Sequence, residues 1–298
     1  MNAKVVSIVD RRHERAILAE PDIQRAQRAL GGEFGDLKLL GVERGVERYL
    51  GRDARGETVE LKVLSAGAEG DPIARERFYL EAYAASKLEH INTLSTSRPE
   101  QAAGADFCVL EHKAAARTLR TVIEHDGWLD ARAAARVADQ IASALDHAHE
   151  RAVLHLRLQP DCILIEPDGW VTLADFGIDA RRGSLSSRRP RAPYASPEQA
   201  SGRDVDRSSD LYSLGAVLYE TLTDRTPFDS NDPEYVRQKQ MTAMPAPPHL
   251  ISMGVPEAVS NIVMRLLETE PAKRFQSATA LQAALYDAVF DSWSAPPS

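Results

Sequence analysis

Residues 194–228 have the sequence YASPEQASGRDVDRSSDLYSLGAVLYETLTDRTPF, which is the most specific pattern in the chain. A Ser-Pro-Glu triplet occupies residues 196–198, and from Ser209 onward the apolar residues follow a helical pattern. Apart from a proline-rich loop at residues 244–256, this pattern continues toward the C-terminus. This part of the chain is therefore predicted to be mainly helical.

Further motifs lie on both sides of this stretch. Lys62 belongs to the strand-like run VELKVL, and Glu81 follows in a segment with helical spacing. His155 opens the segment HLRLQPDCIL, and an Asp-Phe-Gly triplet begins at Asp175. Arg274 lies in EPAKRF, near the C-terminus. Each motif is weak by itself, but their order along one chain is specific.

In that order, the motifs resemble the signature set of protein kinases, and residues 194–228 are especially similar to bacterial Hanks-type serine/threonine kinases. The resemblance extends from about Phe34 to Asp287. It implies an α+β fold with two lobes. The small lobe is expected to be an antiparallel β structure with one helix, and the large lobe to be mainly helical.

The change from strand-like to helical patterns suggests the domain boundaries. We predict an N-terminal extension at residues 1–33, a small lobe at 34–113, a large lobe at 114–290 and a tail at 291–298. The extension contains a segment with helical spacing. This segment either docks on the small lobe or recruits a partner.

Composition restricts the setting in which the protein works. The formal net charge of −8 disfavours general binding to nucleic acid or to anionic membrane. Two cysteines, Cys108 and Cys162, are too few for a disulfide framework, and a reducing compartment fits best. No window approaches the roughly 20 apolar residues of a membrane-spanning helix. We expect a cytoplasmic protein without nucleic-acid or membrane partners.

The resemblance also shows which catalytic positions differ. In the family's HRDLKPxN loop the aspartate is the base, and Arg157 occupies its place, although a guanidinium cannot accept a proton. Gln159 replaces the lysine that neutralises the transferred phosphate. Cys162 replaces the asparagine that binds magnesium, and a thiol is a poor ligand for this hard cation. These degenerate positions predict that the chain has no catalytic residues and is not an enzyme.

The phosphate-binding loop is altered as well. The family pattern GxGxxGxV corresponds to Gly41, Glu43, Val46 and Arg48, so only the first glycine is retained. Loss of two glycines removes backbone freedom and space beside the phosphates, and Glu43 adds negative charge there. We expect nucleotide affinity to be low.

Lys62, Glu81 and Asp175 match the family's nucleotide-site residues and form a vestigial nucleotide site. Either they hold ATP, with Asp175 as the single magnesium ligand, or they form an internal charge network, which we favour. Arg157 either pairs with Asp175 or is a solvated side chain. No cofactor is expected to be required, and ATP and magnesium are expected to bind weakly.

Residues that support the fold are retained. Glu198 and Arg274 resemble the family's buried ion pair, and Asp210 resembles the aspartate that organises the catalytic loop. We therefore predict a pseudokinase that acts as a scaffold or allosteric regulator through protein binding in bacterial signalling. The alternatives are a non-catalytic ATP-binding sensor and an unusual nucleotide-dependent transferase.

The partner is expected to be a protein. One candidate surface is the arginine-rich segment from Arg181 to Arg191, which contains Ser184, Ser186 and Ser187. The segment binds an acidic or phosphorylated partner, is itself phosphorylated, or is simply a solvated loop. The N-terminal extension is the other candidate surface.

Overall fold

The computed structural model of the chain describes residues 20–43, 45–176, 178–179 and 192–290. The chain divides into two units, each with its own interior. The described part of the first unit comprises residues 20–89 and 94–114, and that of the second comprises residues 90–93 and those from 115 onward. One unit is a β sheet with helices and the other is mainly helical, as predicted from the sequence.

A five-stranded antiparallel sheet forms the first unit, with the strand order β1-β2-β3-β5-β4. The strands are β1 (Gly35–Glu43), β2 (Val46–Arg52), β3 (Thr58–Leu64), β4 (Glu100–Ala102) and β5 (Ala105–Glu111). Because side chains alternate along a strand, each face of the sheet has its own residues. Tyr49 and Leu61 are register partners on one face, and Arg48 and Lys62 are register partners on the other.

Among the described residues of this unit, three helices accompany the sheet: one lies in the predicted N-terminal extension, and two lie in the predicted small lobe, where the sequence predicted one. They are α1 (Glu20–Leu30), α2 (Ala66–Glu69) and α3 (Pro72–Ala85). The predicted helix is α3, and it begins at Pro72, where a missing N–H costs nothing. The Asp71 carboxylate caps it by accepting a hydrogen bond from the Ile73 N–H at 2.9 Å.

Helix α1 is part of the core of the first unit. Ala26 and Leu30 are fully buried, and they cluster with Phe34, Tyr49 and Phe107. Their i,i+4 spacing places both side chains on one face of the helix. The segment with helical spacing in the N-terminal extension therefore docks on the small lobe over residues 20–30.

We expect Leu30→Ala to lower the free energy of unfolding by about 2 to 5 kcal/mol, because the substitution leaves a cavity in a packed core. Urea denaturation measures the effect. Leu250 is exposed, so Leu250→Ala is the matched control, with an expected change of about 0.5 kcal/mol or less. Equal effects of the two substitutions would show that α1 contributes nothing to the core.

The second unit is mainly helical. Its helices are α4 (Leu119–Asp126), α5 (Ala131–Glu150), α6 (Pro197–Ser201), α7 (Arg207–Thr223), α8 (Pro233–Thr242), α9 (Pro248–Ile251), α10 (Glu257–Leu266) and α11 (Ala278–Phe290). Its short strands are β6 (Arg117–Thr118), β7 (Val153–Leu154), β8 (Ile163–Ile165), β9 (Val171–Leu173) and β10 (Ile178–Asp179). They form a β6-β8-β9 sheet and a β10-β7 pair.

Helix α7 is the centre of this unit. Every residue from Ser208 to Thr223 is buried, and α5 and α10 both pack against the helix. Gly215 permits the close approach of α10, because a Cβ atom there would lie 2.6 Å from the Leu266 Cβ. A helix buried on all sides provides a fixed frame for the polar groups that it carries.

Some predictions concern residues outside the described part of the chain. These are residues 1–19 of the extension, Gly177, the segment from Arg181 to Arg191 with its three serines, and the tail at 291–298. The predictions about them stay predictions. Among the described residues, no helix combines the length and the apolar character that crossing a membrane requires.

Candidate functional site

The segment that begins at His155 is held by the buried carboxylate of Asp210, on α7. The backbone N–H groups of His155 and Leu156 donate to Asp210 at 2.9 and 2.7 Å. His149 Nε2, from α5, lies 2.8 Å from the same carboxylate. Burial raises the pKa of Asp210, but the His149 hydrogen bond and nearby charges outweigh that effect, and the pKa is lowered. The predicted role of Asp210 in organising this loop is confirmed.

The loop backbone has a strained conformation at Leu156. Its φ of 56° lies in the left-handed region, which is unfavourable for a residue with a branched side chain. Asp210 binds its N–H, and Gln199 Nε2 donates to its carbonyl at 2.9 Å. The hydrogen bonds from α6 and α7 hold this conformation in place.

His155 is a structural residue in the interior. Its Nε2 lies 3.0 Å from the carbonyl of Ala174, which can only accept, so Nε2 carries the proton. Nδ1 accepts from the Arg157 N–H at 3.3 Å. Burial lowers the pKa of His155, which agrees with this neutral tautomer. The ring packs against Phe176 with a centroid separation of 4.8 Å.

Cys162 does not fit the role of a magnesium ligand. Its thiol is buried, accepts from the Gln159 N–H at 3.3 Å and donates to the Gln159 carbonyl at 3.0 Å. Burial raises the pKa of the thiol, so it stays protonated at neutral pH. A neutral thiol that is hydrogen-bonded within its own loop offers no hard oxygen ligand to a magnesium ion.

The second unit brings three of the predicted site residues together. The Cys162 thiol lies 3.7 Å from the carbonyl of Arg157, and the Cys162 carbonyl accepts from the N–H of Ala174, the residue before Asp175, at 2.8 Å. Asp175 follows β9 and has a φ of 62°, another left-handed conformation without glycine. The pairing of Arg157 with Asp175 stays a prediction. Gln159 lies in the same loop, and its backbone N–H donates to the Cys162 thiol.

The ion pair predicted in the large lobe is present. Arg274 donates to both Glu198 oxygens, at 2.8 and 2.9 Å, and both side chains are buried. Ser209 Oγ donates to the same carboxylate at 2.6 Å. Burial raises the pKa of Glu198, but Arg274 lowers it more, so the carboxylate is ionised at neutral pH.

Lys62 lies on β3 in the first unit, between register partners Arg48 on β2 and Cys108 on β5. Glu81 lies on α3, where Arg77 approaches it at 3.8 Å. The pairing of Lys62 with Glu81 stays a prediction. The two residues do belong to the same unit, as the resemblance implied.

The Lys62 face of the sheet carries a charge cluster that the sequence did not reveal. Arg48 Nη2 lies 2.6 Å from one Glu60 oxygen, and His112 Nδ1 lies 3.1 Å from the other. The family motifs have valine and alanine at the positions of Arg48 and Glu60. The sequence does contain one sign of this cluster, which is the charged residue Glu60 within β3, two residues before Lys62.

Gly45 lies between β1 and β2, next to residue 44, which is outside the described part of the chain. The last residue of β1, Glu43, and the first residue of β2, Val46, are register partners. Gly45 has a φ of 78°, and a Cβ atom there would lie 2.8 Å from the Ala68 Cβ. A glycine is therefore needed here for the turn and its packing on α2.

Comparisons with known proteins agree with this architecture. A family model described as a protein kinase domain matches residues 42–286. The serine/threonine-protein kinase PknB of Mycobacterium leprae is 33% identical over 264 residues, covering 85% of this chain and 42% of the relative. PrkC of Bacillus subtilis, also named a serine/threonine-protein kinase, is 30% identical over 260 residues, covering 85% and 40%. The chain thus spans about two fifths of the length of these curated relatives.

A solved structure shows the same fold. The kinase domain of PknI from Mycobacterium tuberculosis superposes with a TM-score of 0.66 at 24% identity. The match covers 86% of this chain and 96% of that domain. The two-lobed kinase fold predicted from the sequence is confirmed.

The prediction that the chain is not an enzyme is contradicted, because the family model describes a kinase domain and both relatives are named kinases. That prediction rested on Arg157, Gln159 and Cys162, which occupy the positions of the base, of the phosphate-neutralising lysine and of a magnesium ligand. Phosphoryl transfer passes through a loose transition state, in which positioning and charge stabilisation supply most of the acceleration. Loss of the base therefore bears on the rate of transfer and does not by itself exclude transfer. The chain belongs to the protein kinase family, among the bacterial serine/threonine kinase homologues.

Proposed function

We propose that this kinase-family chain acts chiefly by binding proteins, as a scaffold or allosteric regulator in bacterial signalling. One contrast within the second unit carries the proposal. The carboxylate of Asp210 accepts both backbone hydrogen bonds that hold the loop. In the same loop, Arg157 and Cys162 occupy the positions of the base and of a magnesium ligand. A loop that is held in place but lacks these groups can present a fixed surface to a protein partner, and it is poorly equipped for rapid phosphoryl transfer.

The proposal includes weak binding of ATP and magnesium. Lys62 and Asp175 are the residues that would contact the phosphates and the metal ion. The buried thiol of Cys162 cannot serve as the second ligand. The pair of Arg48 and Glu60 replaces small apolar residues on the Lys62 face, which also lowers affinity for the base.

Two surfaces are proposed for the protein partner. The first is the arginine-rich segment from Arg181 to Arg191, whose guanidinium groups suit an acidic or phosphorylated partner. The second is the N-terminal extension before residue 20, because residues 20–30 already pack on the small lobe. The first proposal thus specifies the charge of the partner, and the second specifies the part of this chain that would contact the partner.

The comparisons favour a second candidate, which is ATP-dependent transfer of phosphate to a serine or threonine hydroxyl. Its support is that the relatives are named serine/threonine-protein kinases and that Lys62 and Asp175 are retained. Under the first candidate, transfer is slow and the bound partner is the main output. Under the second, transfer is itself the output.

Transfer of radiolabelled γ-phosphate to the chain and to a mixed serine/threonine peptide distinguishes the candidates. We expect the native chain to be at least about 100-fold slower than the variant Arg157→Asp/Gln159→Lys/Cys162→Asn, because general-base catalysis contributes roughly 10² to 10⁴. Since Asn at position 162 must enter a buried site, the variant Arg157→Asp/Gln159→Lys is measured beside it, with melting temperatures as the folding control.

Lys62→Ala is the companion variant. A native rate equal to that of the restored variants, and abolished by Lys62→Ala, would overturn the first candidate in favour of the second. Proteins co-purified from the native cell are compared for the native chain and Lys62→Ala. An unchanged set of co-purified proteins supports binding that does not depend on nucleotide. Loss of a partner from the Lys62→Ala sample supports the ATP-sensor alternative.

A further inference from the structure

A buried carboxylate in the first unit joins three elements of that unit. Asp106 lies on β5 and is 1% exposed. Its Oδ1 accepts from Tyr79 Oη at 2.8 Å, from Arg75 Nη2 at 3.1 Å and from Gln101 Nε2 at 3.1 Å. Its Oδ2 lies 2.8 Å from Arg75 Nε. The carboxylate thus links α3, β4 and β5.

Two of these partners come from one face of α3. Arg75 and Tyr79 are separated by four residues, so their side chains are neighbours along the helix, and the guanidinium lies 5.8 Å from the tyrosine ring centre. Burial raises the pKa of Tyr79, and the hydrogen bond to Asp106 raises it further, so the phenol remains a donor. Glu81 comes two residues later, roughly 200° around the helix.

Apolar packing holds α3 less firmly than it holds α7. The buried residues of α3 are Phe78 and three alanines, so only one large apolar side chain is fully removed from water. Leu80 is only partly buried, and Ile73, near the start of the helix, is 70% exposed. With little apolar area on this helix, the polar network has a large share in fixing its position.

We propose that Asp106 is a positioning residue for Glu81, and that it keeps α3 against β4 and β5 without help from a nucleotide. In kinases, the contact between the strand lysine and the helix glutamate depends on where this helix lies. Asp106 sits two residues before Cys108, the register partner of Lys62, on the same face of the sheet. The anchor and Lys62 are therefore held by one rigid sheet.

Amide hydrogen exchange of the full chain tests this inference. In Asp106→Asn, the α3 amides are expected to exchange at least about 10-fold faster, since hydrogen bonds to a charged group are stronger than those to an amide. Exchange in β2 and β3 is expected to stay unchanged, which separates loss of the anchor from global destabilisation. Asp36, on the same sheet but exposed, provides the matched control Asp36→Asn.

Further variants keep the test decisive if Asp106→Asn folds poorly. Tyr79→Phe removes one donor and should raise α3 exchange by a smaller factor, while Arg75→Lys should restore part of what Arg75→Ala loses. Lys62→Ala should leave α3 exchange unchanged within about twofold. The inference is overturned if Lys62→Ala loosens α3 as much as Asp106→Asn, or if Asp106→Asn leaves α3 unchanged. None of these readouts depends on phosphoryl transfer or on a partner.

Discussion

Arg274→Ala is expected to lower the free energy of unfolding by about 3 to 5 kcal/mol. The reason is that the Glu198 carboxylate, which is buried and ionised, would lose both of its guanidinium hydrogen bonds. Arg274 also donates to the carbonyl of Ser208 at 2.9 Å, which would be left without that donor. Guanidinium chloride denaturation, followed by circular dichroism, measures the change.

The neighbouring residue provides a strict control. Lys273 is exposed and pairs with Glu270 on the surface, so Lys273→Ala removes a positive charge one position away without exposing a buried partner. Its denaturation midpoint should match that of the native chain. A comparable loss in both variants would mean that net charge, rather than the buried pair, is responsible.

Asp210→Ala should cost about 3 kcal/mol or more, because two buried backbone N–H groups lose their acceptor, at roughly 1 to 3 kcal/mol each. The same substitution leaves His149 without its carboxylate partner and frees the strained backbone at Leu156. We expect the denaturation midpoint to fall and hydrogen exchange to increase at residues 155–162 before it increases in α5.

Asp206, at the start of the same helix, is the matched control for Asp210. Its carboxylate caps α7 by accepting from the Ser208 N–H at 2.8 Å, and loss of a cap costs about 1 kcal/mol. Asp206→Ala should therefore destabilise the chain less than Asp210→Ala and leave exchange in the loop unchanged. If the two variants behave alike, Asp210 acts only on its own helix.

From the sequence, the residues at positions 157, 159 and 162 were taken to decide whether the chain is an enzyme. A base contributes only part of the acceleration in a reaction with a loose transition state, and electrostatic stabilisation contributes a larger part. A single substituted position therefore bears on the rate of transfer more than on the class of the protein.

Local patterns in the sequence were sufficient for the architecture. The periodic apolar residues of α3, α5 and α7 predicted those helices, and the ordered motifs from Lys62 to Arg274 predicted the two-lobed fold. The pair of Glu198 and Arg274 was predicted through the resemblance, because its two members stand in recognisable motifs. These features depend on neighbouring residues or on fixed motif spacing, so they are visible without three-dimensional information.

Tertiary structure alone decided the contacts between residues that no motif connects. Asp106 meets Tyr79 across 27 residues, and Glu60 meets His112 across 52. The register of β3 and β5 brings Asp106 and Glu60 onto one face of the sheet, where Tyr79 of α3 meets Asp106. On the opposite face, α1 packs over apolar side chains of the sheet. Sequence spacing determines which face of its own element a residue occupies. Which partner it meets there depends on how the elements are paired, and that is a property of the folded chain.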